Sequence, residues 1–290
     1  MKIARVFPTR TNMSPRDPDA YFGEPGLFTP HYDQVHISVT FTWDLPKIGP
    51  LIQAWRKYGE VKIGGPAMDD KGDDFSTGRY IRKGVTITSR GCPNNCPWCF
   101  VPRREGKLRE LPIVAGNIVQ DNNLLACSRK HISKVFEMLR GQRQIEFSGG
   151  FESARLEDWI VEELRGLKIR HIWLSYDSPQ ALRELMKAVC RLRQYFSRDK
   201  VRCYVLIGYH GDTLGKAESR LRTAWNIGTL PFAMRYRTAS LKQSGTFLFS
   251  GSEWVGLTRR WSRPAIIRAM MKDKPSCQET QMPTSESRDY

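Results

Sequence analysis

No stretch of this 290-residue sequence approaches twenty consecutive apolar residues, which excludes a helix across a bilayer and leaves no membrane partner to expect. The opening run, Met1-Lys-Ile-Ala-Arg-Val-Phe-Pro-Thr9, lacks a long apolar core followed by small residues. No export signal is therefore expected, and the expected compartment is the cytoplasm. Cysteine is sparse, with seven in the chain and none before Cys92. Thiols stay reduced in that compartment, so any clustering of them points to a metal or to redox chemistry rather than to disulfides. Acidic residues are few beside basic ones, 30 Asp and Glu against 46 Lys and Arg, for a net charge of +16. A polyanionic partner is the natural counterpart, since basic side chains that neutralise phosphates release counterions. Internal repeats and long low-complexity segments are also absent.

With 40% hydrophobic residues, the chain can bury one large core or two small ones. Residues 34–41 alternate as a strand does, residues 45–60 place Ile48, Leu51, Ile52 and Trp55 at helical spacing, and Val61-Lys-Ile-Gly-Gly65 is a second strand ending on a turn. These form one βαβ unit within a small α/β region over 1–80, closed by an Asp-, Gly- and Ser-rich linker at 67–80. From 81 to 240, strand-like runs at Val85–Ser89, Ile145–Ser148, His171–Tyr176, Val201–Tyr209 and Phe232–Tyr236 alternate with helix-like stretches at 130–140, 156–167, 179–196 and 213–226. That alternation predicts an α/β fold with a parallel sheet and crossover helices, as in a barrel or part of one. Ligand chemistry in such sheets gathers at the C-terminal ends of the strands. A C-terminal extension spans 241–271, and the polar, Pro- and Ser-rich 272–290 is expected to be disordered.

Three of the seven cysteines lie in Gly91-Cys-Pro-Asn-Asn-Cys-Pro-Trp-Cys-Phe100, directly after the first strand of the alternating region. Cys92, Cys96 and Cys99 are spaced C-x3-C-x2-C, and three thiolates from one loop can hold three irons of a four-iron cube while the fourth stays open. Pro93 and Pro97 stiffen the loop. A structural zinc site would need a fourth ligand, and no cysteine or histidine nearby supplies one. Of the remaining cysteines, Cys190 falls in a helix and Cys203 in a strand, where small buried thiols are common. Cys277 falls in the tail, and Cys127 follows the unusual loop Gln120-Asp-Asn-Asn-Leu-Leu-Ala-Cys127 near the expected mouth.

The C-x3-C-x2-C loop, with aromatic Trp98 just before its last cysteine, resembles the signature of the radical S-adenosylmethionine (radical SAM) superfamily. The resemblance covers about 85–240 and implies a partial (β/α) barrel, here with the small N-terminal βαβ extension. It also implies a [4Fe-4S] cluster on the three cysteines, whose open iron binds S-adenosylmethionine. One electron, from a donor such as flavodoxin or ferredoxin, then cleaves the cofactor to a 5′-deoxyadenosyl radical that abstracts hydrogen from substrate. Phe147-Ser-Gly-Gly-Phe-Glu152 is similar to the family's Gly-Gly-Glu stretch, with Phe151 inserted. The resemblance thus implies cofactor contacts from Trp98, Ser148, the Gly149–Gly150 backbone and Glu152, the last displaced by one residue. Two glycines permit close backbone approach, though a tight strand-to-helix turn also uses them. Ser175-Tyr-Asp177 would reach the ribose or methionine part, while Asp177 is equally placed as a helix N-cap before Ser178-Pro179. Gly208 would admit the adenine, or simply ends a strand.

The extended run Cys96-Pro-Trp-Cys-Phe-Val-Pro-Arg-Arg-Glu-Gly106 resembles the cluster loop of tRNA methylthiotransferases. Their three further N-terminal cysteines are missing, and the residues after 236 do not pattern as their small RNA-binding β-barrel. Residues 35–65 are similar to a remnant of a cobalamin-binding domain, without the Asp-x-His-x-x-Gly that would reach cobalt. The combination most resembles compact radical SAM proteins of phages and prophages. Arg103 and Arg104 after the loop, Arg235 and Arg237 at the last strand, and Arg259, Arg260 and Trp261 combine cations with an aromatic, as phosphate pairing and base stacking require. A packed Trp261 on a charged helix face is the competing assignment. The resemblance and the charge together imply radical modification of RNA, with tRNA the RNA that the loop points to, by methylthiolation or a related C–H functionalisation. The alternatives are a radical SAM enzyme acting on a peptide or small metabolite, and a nucleic-acid-binding protein with a structural cluster.

Overall fold

The structure is a computed structural model that describes residues 1–68, 80–237 and 251–272. Most of the expected linker, the tail and Cys277 lie outside the described residues.

In the N-terminal part, β1 (Ile3–Phe7), β2 (Ala20–Phe22), β3 (Gln34–Ser38), α1 (Ile48–Trp55) and β4 (Glu60–Gly64) build a four-stranded sheet in the order β2-β1-β3-β4. All its pairings are parallel. Alternation along the strands turns Ala4, Val6, Val35 and Ile37 inward, where they meet Leu51 and Trp55, four residues apart on one face of α1. Trp55 is fully buried, and its indole N–H donates to the Gly23 carbonyl at 3.0 Å. The expected βαβ unit is β3-α1-β4. Strands β1 and β2 were not foreseen, because five and three residues carry too short a period-2 signal.

The second part follows with β5 (Val85–Thr86), β6 (Ser89–Arg90), α2 (Val101–Arg104), β7 (Arg109–Glu110), β8 (Ile118–Val119), α3 (Arg129–Arg140) and β9 (Ile145–Phe151). It continues through α4 (Asp158–Arg165), β10 (Ile169–Tyr176), α5 (Leu182–Arg193), β11 (Val201–Ile207), α6 (Leu214–Asn226), β12 (Leu230–Arg235), α7 (Ser252–Trp261) and α8 (Pro264–Met271). Six strands form an all-parallel sheet in the order β12-β11-β10-β9-β8-β5. Each new strand joins beside the previous one, so crossovers of one hand put α3 to α6 on a single face. The order is open, with β5 and β12 as its edges. Strands β6 and β7 pair antiparallel, and the cysteine loop is the excursion between them.

On the helical face, Leu174, Cys203 and Val205 are fully buried against apolar stripes such as Ile132, Val135, Phe136 and Leu139 of α3. Ser128 caps α3 and Thr213 caps α6, each accepting a backbone N–H from the third residue of its helix. On the opposite face, Trp173 and Tyr204 stack at 4.1 Å and Phe232 stands edge-on to both. Cys203 is buried as expected of a strand thiol, but Cys190 is exposed on the outer side of α5. None of the described helices is long and apolar enough to cross a membrane.

One expectation about the C-terminal helices is corrected. Trp261 is 0% exposed, packed within the main core with the Arg222 guanidinium 5.9 Å from its ring, so it cannot stack on a base. Helix α7 packs against β12 and α6, and the neighbouring α8 pairs its Arg268 with Asp199 just before β11. Trp261 is an anchor of the helical layer, as Leu257 and Ile267 are.

Candidate metal centre

The loop begins where β6 ends, and its entry depends on glycine. Gly91 has φ +82°, and a Cβ there would overlap the Lys107 carbonyl oxygen. Cys92, Cys96 and Cys99 follow, all reduced and half-buried. The Cys99 N–H donates to the Cys96 carbonyl at 3.0 Å, and the Asn94 N–H points to Cys92 Sγ at 3.5 Å. Burial, then their mutual repulsion and Asp177, push the Cys96 thiol up. Burial pushes Cys99 up as well, with backbone donors from Val101 and Phe100 opposing it. Among the described residues no trio of His, Cys, Asp or Glu is arranged around a single metal ion. A cube places each thiolate on a different iron, so the sulfurs need not converge on one point.

A second loop braces the first. Asp121 is 2% exposed and accepts from the Thr88 N–H at 2.6 Å, the Thr88 hydroxyl at 2.5 Å and the Ser89 hydroxyl at 2.9 Å. Asn122 Oδ1 accepts the Gly91 N–H at 3.0 Å. Asn123 Nδ2 donates to Cys92 Sγ at 3.4 Å and to Glu152 Oε2 at 2.7 Å. Three consecutive side chains thus fix the approach to the loop, its first glycine and its first cysteine. Sequence patterning singled out this segment for Cys127 instead. That thiol is buried, bonded to the Ser89 hydroxyl, and pushed by burial up to about 11, so it packs behind the brace.

The Gly149–Gly150 segment is a bulge inside β9 rather than a strand end. Phe147 pairs with Ile172 and Phe151 with Leu174, so three residues, Ser148 to Gly150, oppose Trp173 alone. The inserted Phe151 is absorbed here, buried with its ring 4.7 Å from that of Phe147. Gly150 has φ +85°, and a Cβ there would meet only the Trp173 carbonyl oxygen, at 3.9 Å, so the backbone conformation and not crowding calls for glycine. A Cβ on Gly149 would instead overlap the Asp121 carbonyl oxygen, so that glycine is needed by the brace itself. Glu152 is brought to the cysteine loop. Burial acts to raise its carboxyl, but donors from Asn123, Asn94 and Arg155 outweigh it and hold the group below its ordinary value.

Asp177 does not cap the following turn, whose cap position is Ser178. It is directed at the loop, hydrogen-bonded by the Trp98 indole and by Ser175, and burial raises its carboxyl to about 6. Gly208, buried with φ +72°, donates its N–H to Asp212 Oδ2 at 2.8 Å, and Arg220 holds that carboxylate at 2.7 Å. Arg103 and Arg104 leave the loop on α2 and lie 5.6 and 5.2 Å from the Phe100 ring centre. Arg235 ends β12, and Arg237 lies 3.9 Å over the Trp43 ring.

Asn123 Oδ1 after β8, Ser148 Oγ in the β9 bulge and Asp177 Oδ1 after β10 are buried and have no protein partner. Buried polar groups are ordinarily satisfied. Beside three soft thiolates and a left-handed glycine, this donor and acceptor set fits an iron–sulfur cluster carrying a small zwitterionic ligand. No protein-family model and no curated protein matches the chain.

Burial of Asp177 has a measurable consequence. Its folded-state value lies above the ordinary carboxyl value of 3.8, so the folded chain binds the proton more tightly than the unfolded chain. Stability from this group is complete below about pH 4 and falls as pH rises towards about 6, on the order of 3 kcal/mol in total. In metal-free protein, Asp177→Asn is expected to raise the unfolding midpoint at pH 7.5 and to leave it unchanged at pH 4. Denaturant titrations at the two pH values check this, and an equal shift at both would contradict it.

Proposed function

We propose that the chain is a radical SAM enzyme that modifies a nucleic acid, with RNA as the substrate class. The observation that carries this is the placement of the three-cysteine loop. It lies at the C-terminal end of a singly wound parallel sheet, beside Asp177, Glu152 and polar atoms that lack partners. The sheet order supports a partial (β/α) barrel, since strands added one by one with helices on one face curl in that sense. When bound, the [4Fe-4S] cluster and S-adenosylmethionine supply hydrogen abstraction from an unactivated C–H bond, with one electron from a donor of the flavodoxin or ferredoxin kind.

The chain's own residues position these groups. Cys92, Cys96 and Cys99 hold three irons, and Asn123 donates towards the first of those sulfurs. The Ser148–Gly150 bulge holds Gly150 at φ +85°, where a side chain is disfavoured, and its buried Ser148 hydroxyl is available to a ligand. Trp98, Ser175 and Asp177 form one hydrogen-bonded group at the next strand end, suited to hydroxyl or ammonium partners. Glu152 is already engaged by Arg155 and Asn123, so it steadies the brace rather than reaching freely for a ligand. Gly208 marks the next strand end, where a planar group can approach the backbone.

The net charge of +16 and the arginines beside the loop support a phosphate-bearing substrate over a peptide or metabolite. Nucleoside mass spectrometry of RNA from cells with and without the gene tests this. A modified nucleoside present only with the gene is the expected result. Identical nucleoside profiles, alongside cofactor cleavage stimulated by a peptide or metabolite, would overturn it.

A further inference from the structure

At the mouth of the sheet, four separate parts of the chain bring aromatic rings together. Trp98 and Phe100 come from the cysteine loop, Tyr209 follows β11, Tyr236 follows β12, and Trp43 belongs to the N-terminal part. Backbone pairing fixes the arrangement, because the Tyr236 N–H donates to the Ile207 carbonyl at 2.9 Å and extends the β11–β12 ladder to the last residues. Tyr209 then meets Tyr236 at 4.9 Å and Trp98 at 5.9 Å, each edge to face. Tyr236 reaches Phe100 at 6.2 Å. All four remain partly exposed, whereas the core aromatics Trp55, Phe136, Phe147 and Trp261 are sealed.

Guanidinium groups lie over these rings. Arg103 and Arg104 cover Phe100, and Arg237 lies on Trp43, whose own ring stacks on Phe41 at 4.3 Å. Arg235 adds a further guanidinium beside Arg237. Cations over flat, partly exposed rings suit a partner that joins a negative charge to a planar face. A nucleotide has both features in one unit. A duplex does not present them together, since its bases are stacked inside and its phosphates outside.

We propose that this mouth is a binding site for an unpaired nucleotide. Its base packs on the surface made by Tyr209, Tyr236 and Phe100, and its phosphates are held by Arg103, Arg104 and Arg237. Trp98 joins the platform to Asp177, so a captured base stands beside the cysteine loop. Through Trp43 and Arg237 the N-terminal part forms one wall of the site. The inference rests on the nucleic-acid reading above and adds the state of the substrate, single-stranded or flipped out of a helix.

The test uses the reconstituted holoprotein and fluorescence anisotropy with a short labelled single-stranded RNA and its blunt duplex. The single strand is expected to bind at least about tenfold tighter, and Tyr236→Ala to weaken it by about 5- to 150-fold, the range for loss of one stacked base. Tyr236→Phe should bind as wild type does. Arg103→Ala should lower the salt slope by about 0.7, and Tyr236→Ala should leave it unchanged. Thermal melts establish that each variant is folded, and Tyr209→Leu replaces Tyr236→Ala if the latter is not. Equal affinity for strand and duplex, displacement of the RNA by a poly-glutamate peptide, or wild-type binding by a folded Tyr variant would each overturn the proposal. Single-strand binding without 5′-deoxyadenosine formation would sink the enzymatic reading and leave this site standing. Cofactor cleavage without a strand preference would do the reverse.

Discussion

Cys96→Ala is expected to leave the protein without iron and without cofactor cleavage. A cube held by three thiolates cannot lose one and remain intact, because the exposed iron has no replacement donor of the same softness. The nearest carboxylates, Asp177 and Glu152, are already engaged by Trp98, Ser175, Asn123 and Arg155. The other thiols among the described residues are too deeply packed or wrongly placed to substitute. Cys203 is sealed beneath the helices, Cys127 sits behind Ser89, and Cys190 faces solvent on α5. The control set therefore separates the roles. Cys190→Ala should change stability by less than about 0.5 kcal/mol, as exposed substitutions do. Cys203→Ala should cost only packing, on the order of 1 kcal/mol. Both should retain full iron, measured by metal analysis after anaerobic reconstitution.

Asp121→Ala is expected to be the most damaging change outside the cysteines. The buried carboxylate satisfies three donors at the start of the loop, the Thr88 N–H and the Thr88 and Ser89 hydroxyls. Truncation strands all three, at about 1–3 kcal/mol for each unsatisfied buried group, so a loss on the order of 4 kcal/mol is expected. Iron retention should fall with it, because Gly91 and Cys92 hang from the same junction through Asn122 and Asn123. Gly149→Ala attacks that junction from the other side, since its methyl would overlap the Asp121 carbonyl. Urea unfolding and iron content of Asp121→Ala check the point. A loss under about 1 kcal/mol with full iron would show that the brace is dispensable.

Residue spacing alone exposed the parts whose signal is local. The three cysteines, the parallel strand–helix alternation from β9 to β12 and the βαβ unit of the N-terminal part each lie within a short window. What escaped depends on contacts between distant segments. Strand β8 has two residues and exists because β5 and β9 give it partners on either side. Asp121, Asn122 and Asn123 look like turn residues until the fold sets them against residues 88–92, some thirty positions earlier. Tyr209 and Tyr236 extend past their strands and meet only because β11 and β12 are adjacent. Trp261 misled for the opposite reason. Its arginine neighbours have the composition of a nucleic-acid patch, whereas helical spacing with Leu257 and Trp254 turns the indole inward.

The central claim is that the loop of Cys92, Cys96 and Cys99 holds one four-iron cluster that cleaves S-adenosylmethionine. Anaerobic reconstitution with iron and sulfide, followed by dithionite, S-adenosylmethionine and quantitation of 5′-deoxyadenosine, tests it in one preparation. The account expects about four irons per chain, 5′-deoxyadenosine formed only with reductant, and none from Cys96→Ala. Iron bound without any 5′-deoxyadenosine would leave only a structural cluster, and zinc bound in preference to iron would contradict the claim outright.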